Sequence, residues 1–146
     1  MNLFGVLEIC SSAMKAERAR AEIVAANLAN AQTTRTASGG PYRRLHITFR
    51  AKRVGPKSFQ RWLAAPEDAH ARGVRVERVV TNTAPPVRRF DPGHPDADAQ
   101  GYVNYPAINP VEEMVDLMGS ARAYQLNVAA AQATKSMIVQ TLELLR

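Results

Sequence analysis

The chain of 146 residues is poor in the features that mark an enzyme core, a disulfide-rich secreted domain or a membrane protein. Its one cysteine, Cys10, cannot form a disulfide within the chain, and aromatic residues make up only 6% of the sequence. No apolar stretch approaches the ~20 residues of a membrane-spanning helix. Because Glu8 interrupts the first apolar residues and no basic segment precedes them, the sequence predicts no cleaved signal peptide and, by itself, a cytosolic protein.

Basic residues are concentrated in the middle of the chain. Residues 35–89 carry thirteen basic and three acidic side chains, whereas residues 1–34 are balanced and residues 90–146 have a net charge of −4. The overall charge of +6 therefore comes from the middle alone. An excess of this kind suits an acidic partner surface, a polyanion or lipid headgroups.

Matching apolar stripes occupy the two ends of the chain. Apolar residues recur there every three or four positions, the spacing of a coiled-coil seam, and one polar residue interrupts each stripe. The stripe residues are Leu3, Leu7, Cys10, Met14, Ala21, Val24, Leu28 and Ala31 in the first, and Met114, Leu117, Ala121, Tyr124, Val128, Ala131, Ile138, Leu142 and Leu145 in the second. We predict a mainly α fold with a small β-rich insertion, in which helices over 3–31 and 110–145 pack as an antiparallel coiled coil.

The two polar interruptions, Glu17 and Lys135, suggest a register for this coiled coil. If they form an ion pair across the seam, facing positions add to 152, so that Val24 faces Val128. A polar pair in an apolar seam is a known way to fix register. The alternative is that both side chains point to solvent or to other subunits.

The middle of the chain has the alternation of β-strands. Apolar and polar residues alternate over 42–51 and, with a slip at Arg78, over 74–80. Shorter strands are predicted over 87–90 and 101–105, and residues 52–73 are predicted to be a loop with at most one helical turn.

Turn and cap residues precede the second helix. Asp91-Pro92-Gly93-His94-Pro95-Asp96 is typical of a turn, and Asn109-Pro110-Val111-Glu112 is typical of a helix start, with Glu112 reaching back as in a capping box. The residues assigned to this turn and cap are Asp91, Gly93, His94, Asp96, Asn109, Pro110 and Glu112.

No combination of side chains predicts a metal site, a cofactor or catalysis. The acidic residues around His94 lack the spacing of a calcium loop, and no second histidine lies at zinc spacing. A peptidoglycan-acting enzyme with Asp96, Asp98 or Glu112 as acid and base is a weak alternative, because a turn and a helix cap already require these residues. We therefore predict that the protein is not an enzyme and has no cofactor.

Three blocks, residues 12–34, 91–103 and 109–124, resemble the bacterial flagellar rod proteins, and the last two resemble proximal rod members in particular. The resemblance implies a discontinuous terminal-helix domain that forms the rod core, 1–34 with 107–146, and a basic insertion, 35–106. It also implies export by the flagellar type III apparatus without a cleaved signal. The expected location is then the basal-body rod in the periplasmic space, which replaces the cytosolic prediction.

The function that the resemblance implies is a structural subunit of the proximal rod, the drive shaft for motility. The expected partners are copies of itself, other rod proteins and neighbouring basal-body components, with no small-molecule substrate and no membrane span. The alternative is a basic adaptor that binds nucleic acid or another polyanion, although no DNA-binding motif is present.

The predicted subunit-interface residues come from the two stripes and from the pattern Ala26-Asn27-Leu28-Ala29-Asn30, shared by rod and hook proteins. They are Leu3, Leu7, Met14, Glu17, Val24, Asn27, Leu28, Asn30, Thr33, Met114, Leu117, Tyr124, Asn127, Val128, Lys135, Ile138 and Leu142. In a lone helix, Asn27 and Asn30 would only fray its end, so residues 26–34 are expected to contact neighbouring subunits.

Overall fold

A computed structural model of the chain describes residues 3–53 and 72–144. Two long helices, one at each end of the chain, flank four strands in sequence. The elements are α1 (Leu3–Ala29), β1 (Leu45–Arg53), β2 (Arg72–Thr81), β3 (Val87–Phe90), β4 (Tyr102–Tyr105) and α2 (Pro110–Leu144). The mainly α fold with a β insertion is confirmed, while most of the loop predicted over 52–73 lies outside the described residues.

Helices α1 and α2 pack along each other in opposite directions. Asn27, near the end of α1, donates a hydrogen bond to Glu113, near the start of α2, while Arg20, two turns earlier in α1, contacts Asp116, further along α2. Cys10, Ala16 and Val24 of α1 are buried. Neither helix, over its described residues, has an apolar stretch that would cross a membrane.

The predicted register of the helix pair is wrong. The contact between Asn27 and Glu113 means that facing positions add to about 140 rather than 152. Lys135 is then opposite about residue 5 of α1, which puts it about 18 Å along the axis from Glu17 at 1.5 Å per residue. The polar contact that sets the register lies at the end of the helix pair, and sequence spacing alone did not reveal it.

The side of α2 that faces α1 is more polar than predicted. Glu113, Ser120 and Thr134 are buried and Asn127 is half-buried, and these four residues are seven positions apart. The hydroxyl groups and the amide bond to carbonyls of their own helix: Ser120 to Leu117, Asn127 to Ala123 and Thr134 to Ala130, at 2.8–2.9 Å. Small polar groups satisfied in this way allow two helices to approach closely without leaving buried donors unpaired.

The predicted apolar stripe of α2 is accordingly divided. Leu117, Val128, Ala131 and Ile138 are half-buried, whereas Met114, Ala121, Tyr124 and Leu142 are exposed. The helix therefore has one face against α1 and a second, largely apolar face that no described residue covers.

Strands β1 and β2 form an antiparallel ladder from Leu45↔Thr81 to Arg53↔Arg72. The register shifts between Thr48 and Phe49, where Glu77 is the extra residue of a β-bulge and forms an ion pair with Arg50. This bulge is next to Arg78, where the sequence alternation slips. A backbone N–H of β2, that of Val74, donates to the Ser12 hydroxyl of α1 at 3.0 Å, so the ladder is anchored on the first helix.

Strands β3 and β4 form a second, shorter antiparallel ladder. The Phe90 and Tyr102 rings at its end meet edge to face with centroids 5.4 Å apart. Gly101 joins the turn to β4 with φ of +81°, a conformation that favours glycine. A Cβ atom at this position would lie 2.9 Å from Phe90 Cε2 and 3.3 Å from Pro92 Cβ.

Replacing Gly101 by alanine is expected to lower the free energy of unfolding, because the new methyl group would overlap Phe90 and strain the backbone. Gly39 is the matched control: its φ is +82°, but a Cβ atom added there would have no atom within 4 Å. We expect Gly101→Ala to destabilise by about 1–3 kcal/mol more than Gly39→Ala. Urea unfolding followed by circular dichroism measures the difference, and equal midpoints would show that the close approach has no energetic effect.

Candidate functional site

A fully buried asparagine joins three elements at one end of the helix pair. Asn27 is 1% exposed, and all its hydrogen-bonding capacity is used within the chain. Its Nδ2 donates to Leu45 O at 2.9 Å and to Glu113 Oε2 at 3.1 Å. Its Oδ1 accepts from the Leu45 N–H at 2.9 Å and from the Tyr42 hydroxyl at 3.2 Å. Asn27 thus pairs with the first residue of β1 as a neighbouring strand would.

A row of alternating charges continues from this asparagine. Glu113, 1% exposed, accepts a hydrogen bond from Arg44 Nε, and the Arg44 guanidinium also lies 3.9 Å from Asp116. Asp116 in turn accepts from Arg20 at 3.4 Å. Arg20 is 4.0 Å from Glu17 Oε2, a buried oxygen without a hydrogen bond among the described residues. We call Glu17, Arg20, Asn27, Tyr42, Arg44, Glu113 and Asp116 the junction network.

The junction network surrounds a buried carboxylate with polar partners. An ionised side chain is stable there only when opposite charges and hydrogen bonds replace water, and Glu113 has both, from Arg44 and Asn27. Burial, and secondarily the charge of Glu113, raise the pKa of the Tyr42 phenol above its usual value. The phenol therefore keeps its proton at neutral pH and remains a donor to Asn27.

The two asparagines of the pattern at 26–30 have different roles. Asn30 bonds to its own segment: its Nδ2 donates to Ala26 O at 2.9 Å, and its Oδ1 accepts from the Thr33 hydroxyl at 3.2 Å. Asn27, in contrast, connects α1 to β1 and α2. The polar atoms of Asn27 are already paired inside the chain. Asn27 would fray the helix end only if α1 were alone, whereas here it joins α1 to its neighbours.

The predicted turn packs against the segment that follows α1. The Thr34 hydroxyl donates to Asp96 Oδ2 at 2.7 Å, and Arg35 lies 3.6 Å from the other oxygen of that carboxylate. The Asp96 N–H donates to His94 Nδ1 at 3.1 Å. The hydroxyl of Tyr105 reaches Asp91 at 3.5 Å. This turn therefore ties Thr34 and Arg35 to the second β-ladder.

The predicted cap residues lie at the start of α2. The side-chain oxygen of Asn109 accepts from the Val111 N–H at 3.1 Å, and its amide donates to Glu112 at 3.2 Å. Glu112 thus contacts the asparagine side chain rather than the backbone N–H of a capping box.

Acid–base chemistry has little support at the three carboxylates considered from the sequence. Asp96 is held by Thr34, and Glu112 by Asn109. Hydrogen bonds from the backbone N–H of Tyr102 and Gln100, together with Arg88, lower the pKa of Asp98, which makes it a poor general acid near neutral pH. The described residues contain no group of three or more potential metal ligands.

The predicted interface residues fall into three sets by burial within the chain. Val24 and Asn27 are buried. Half-buried are Leu3, Leu7, Met14, Glu17, Leu28, Asn30, Thr33, Leu117, Asn127, Val128 and Ile138. Exposed are Met114, Tyr124, Lys135 and Leu142.

Sequence reasoning missed most of the junction network. Glu113 and Asp116 suit the helix dipole, and Arg44 suits an exposed strand face, so none of the three stands out in the sequence. The available signal was the seven-residue spacing of Glu113, Ser120, Asn127 and Thr134, which marks the buried side of α2 as clearly as the apolar stripe does.

Comparison with known proteins places the chain in a family. The family model "Flagella basal body rod protein" matches residues 7–35, and the model "Flagellar basal body rod FlgEFG protein C-terminal" matches residues 99–144. Three relatives named "Flagellar basal-body rod protein FlgC" come from Borreliella burgdorferi, Bacillus subtilis and Salmonella typhimurium. They are 35%, 36% and 37% identical over 99–100% of this chain and 98–99% of their own lengths.

The chain belongs to the FlgC family of flagellar basal-body rod proteins. The two family models cover α1 from residue 7 onward and the whole of α2, including Asn27 and Glu113. The relatives are named flagellar basal-body rod proteins, which are not enzymes, so the prediction that the chain is not an enzyme is confirmed.

Asn27 and Asn30 provide a matched pair for testing the junction network. Asn27→Ala would remove the side-chain hydrogen bonds to both backbone groups of Leu45 and one of the two partners of Glu113, and we expect it to lower the free energy of unfolding by about 2–4 kcal/mol. Asn30→Ala removes only local bonds in a half-buried position and should lower it by less than about 1 kcal/mol. Denaturant unfolding of the two purified variants measures both effects. Equal losses would contradict the different roles assigned to the two asparagines.

Proposed function

We propose that the protein is a structural subunit of the proximal part of the flagellar basal-body rod. It assembles with copies of itself and with related rod proteins into the tube that transmits rotation for motility. The observation that carries this proposal is the similarity to FlgC proteins along the whole chain, which spans both helices and the strands between them.

The uncovered face of α2 supports an assembling role. Large apolar side chains are exposed along the helix, and a monomeric soluble protein rarely leaves so many on one element. They are Val111, Met114, Val115, Met118, Tyr124, Leu126, Met137, Val139, Leu142 and Leu144. We propose that subunit contacts use the exposed and half-buried members of the predicted interface set, while Val24 and Asn27 act inside the subunit.

The division of the chain is also part of the proposal. Residues 1–34 and 107–146 form the part that lines the rod, and the basic residues 35–106 form an insertion outside it. Export by the flagellar type III apparatus, without a cleaved signal, delivers the subunit to the rod in the periplasmic space. No relative and no feature of the described residues favours the alternative of a nucleic-acid adaptor.

Deletion of the gene in the bacterium that encodes the protein tests this function. We expect non-motile cells whose purified basal bodies lack a complete rod in electron micrographs, because the proximal segment supports everything assembled after it. Expression of the full chain from a plasmid should restore rods and swimming. A deletion strain that swims and carries complete rods would refute the function.

A further inference from the structure

A groove of about 320 Å³ lies between α1 and the β1–β2 ladder. From α1, Glu8, Ser11 and Lys15 line it, and because they are three or four positions apart they share one face of the helix. From the ladder, Lys52 and Arg75 line it. Positively charged side chains therefore border the groove on both of its walls, and we call it the basic groove.

The cations of the basic groove form no ion pairs within the described part of the chain. This holds for Lys15, Lys52 and Arg75 alike. Arg75 is opposite Arg50 in the ladder, and Arg50 already pairs with Glu77. Like charges in facing positions destabilise a ladder, so a negatively charged ligand would relieve this repulsion.

The basic groove also offers backbone groups of a strand edge. Among the described strands, β2 pairs with β1 alone, so alternate backbone groups of β2 point away from β1. The N–H of Val74 is one of them and donates to the Ser12 hydroxyl of α1 at 3.0 Å. Val76, two positions further, belongs to the same edge and also lines the groove. An extended segment can therefore bond to this edge while its side chains meet the cations.

The length and lining of the basic groove favour an acidic peptide segment over other anions. From Glu8 to Lys15 it runs about 10 Å along α1, at 1.5 Å per residue, which matches about three residues of extended chain. No aromatic side chain is among the described residues that line it, so nucleobases would have nothing to stack on. Glu8 disfavours negative charge at its own end, so acidic side chains of a bound segment would lie toward Lys15.

The described residues of a second copy do not supply such a segment. The acidic side chains that are close in sequence, Asp96 with Asp98 and Glu113 with Asp116, already form ion pairs within the chain. Charge complementarity therefore points to a different protein as the source of the segment.

We propose that the basic groove binds an acidic, extended segment of another protein. Carboxylates of that segment pair with Lys15, Lys52 and Arg75, and its backbone lies along the edge of β2. The inference goes beyond the proposed function, because it concerns a surface between α1 and the insertion and a partner that is not a copy of this chain.

Fluorescence anisotropy of fluorescein-labelled hexaglutamate with the purified full chain at low ionic strength tests the groove. The double variant Lys52→Gln, Arg75→Gln should weaken binding about tenfold, because two ion pairs with the peptide are lost. The matched control Arg43→Gln, Arg122→Gln removes the same charge at exposed positions outside the groove and should weaken binding by less than about twofold. Labelled hexaserine should not bind.

Substitutions on α1 keep the proposal testable if the ladder variant does not fold, which circular dichroism would reveal. Lys15→Gln should weaken the binding of hexaglutamate, whereas Glu8→Gln should strengthen it, because the two side chains have opposite charges in one groove. Unchanged affinity in both variants would overturn the proposal.

Three further results would also overturn it. Equal weakening by the ladder variant and its control would show attraction by net charge alone. Displacement of hexaglutamate by inorganic phosphate at equal charge, or tighter binding of oligothymidylate through the same cations, would assign the groove to a small anion or to nucleic acid. Tighter binding by the variant Glu67→Gln, Asp68→Asn would show that the chain's own acidic pair competes for the groove.

The binding assay needs no assembled rod. Failure of hexaglutamate to bind is therefore distinguishable from failure of the proposed function, which is seen as motility of the deletion strain.

Discussion

The hydrogen bond between Asn27 and Glu113 is the interaction on which the rest of the structure depends. It joins the end of α1 to the start of α2, and the same asparagine holds the first residue of β1 through both of its backbone groups. Arg44 then neutralises the buried carboxylate from the β1 side. Because a buried amide and a buried carboxylate are stable only with these partners, the two helices and the first strand have one preferred arrangement.

That arrangement decides which apolar residues stay outside. Once Asn27 and Glu113 face each other, the longer helix must extend past the start of the shorter one, and its exposed apolar residues become available to other molecules. On the side of α2 that faces α1, small polar residues donate hydrogen bonds to carbonyls of their own helix. Few large apolar side chains are therefore buried between the two helices. A subunit that buries so small a hydrophobic core of its own gains stability from assembly.

The sequence was sufficient for the architecture but not for the register. Three-and-four spacing located both helices to within two residues at each end, and alternation located the strands, because these signals depend only on which residues are apolar. The register depended on which polar residues are buried. Glu17 and Lys135 stood out as interruptions of apolar stripes, yet the decisive residue, Glu113, lies one position outside the predicted stripe. Its partners Asn27 and Arg44 are 86 and 69 positions away in sequence, so no local pattern identifies them.

A double-mutant cycle between Arg44 and Glu113 tests the central claim most directly. The free energy of unfolding is measured for the parent chain, Arg44→Met, Glu113→Gln and the double variant, with the exposed pair Arg18 and Glu22 as the control. If the junction network fixes the helices and β1, the buried pair should show a coupling energy of about 1–3 kcal/mol, against about 0.3–0.5 kcal/mol for the exposed pair. A coupling energy between Arg44 and Glu113 that is no larger than that of the control pair would contradict this account.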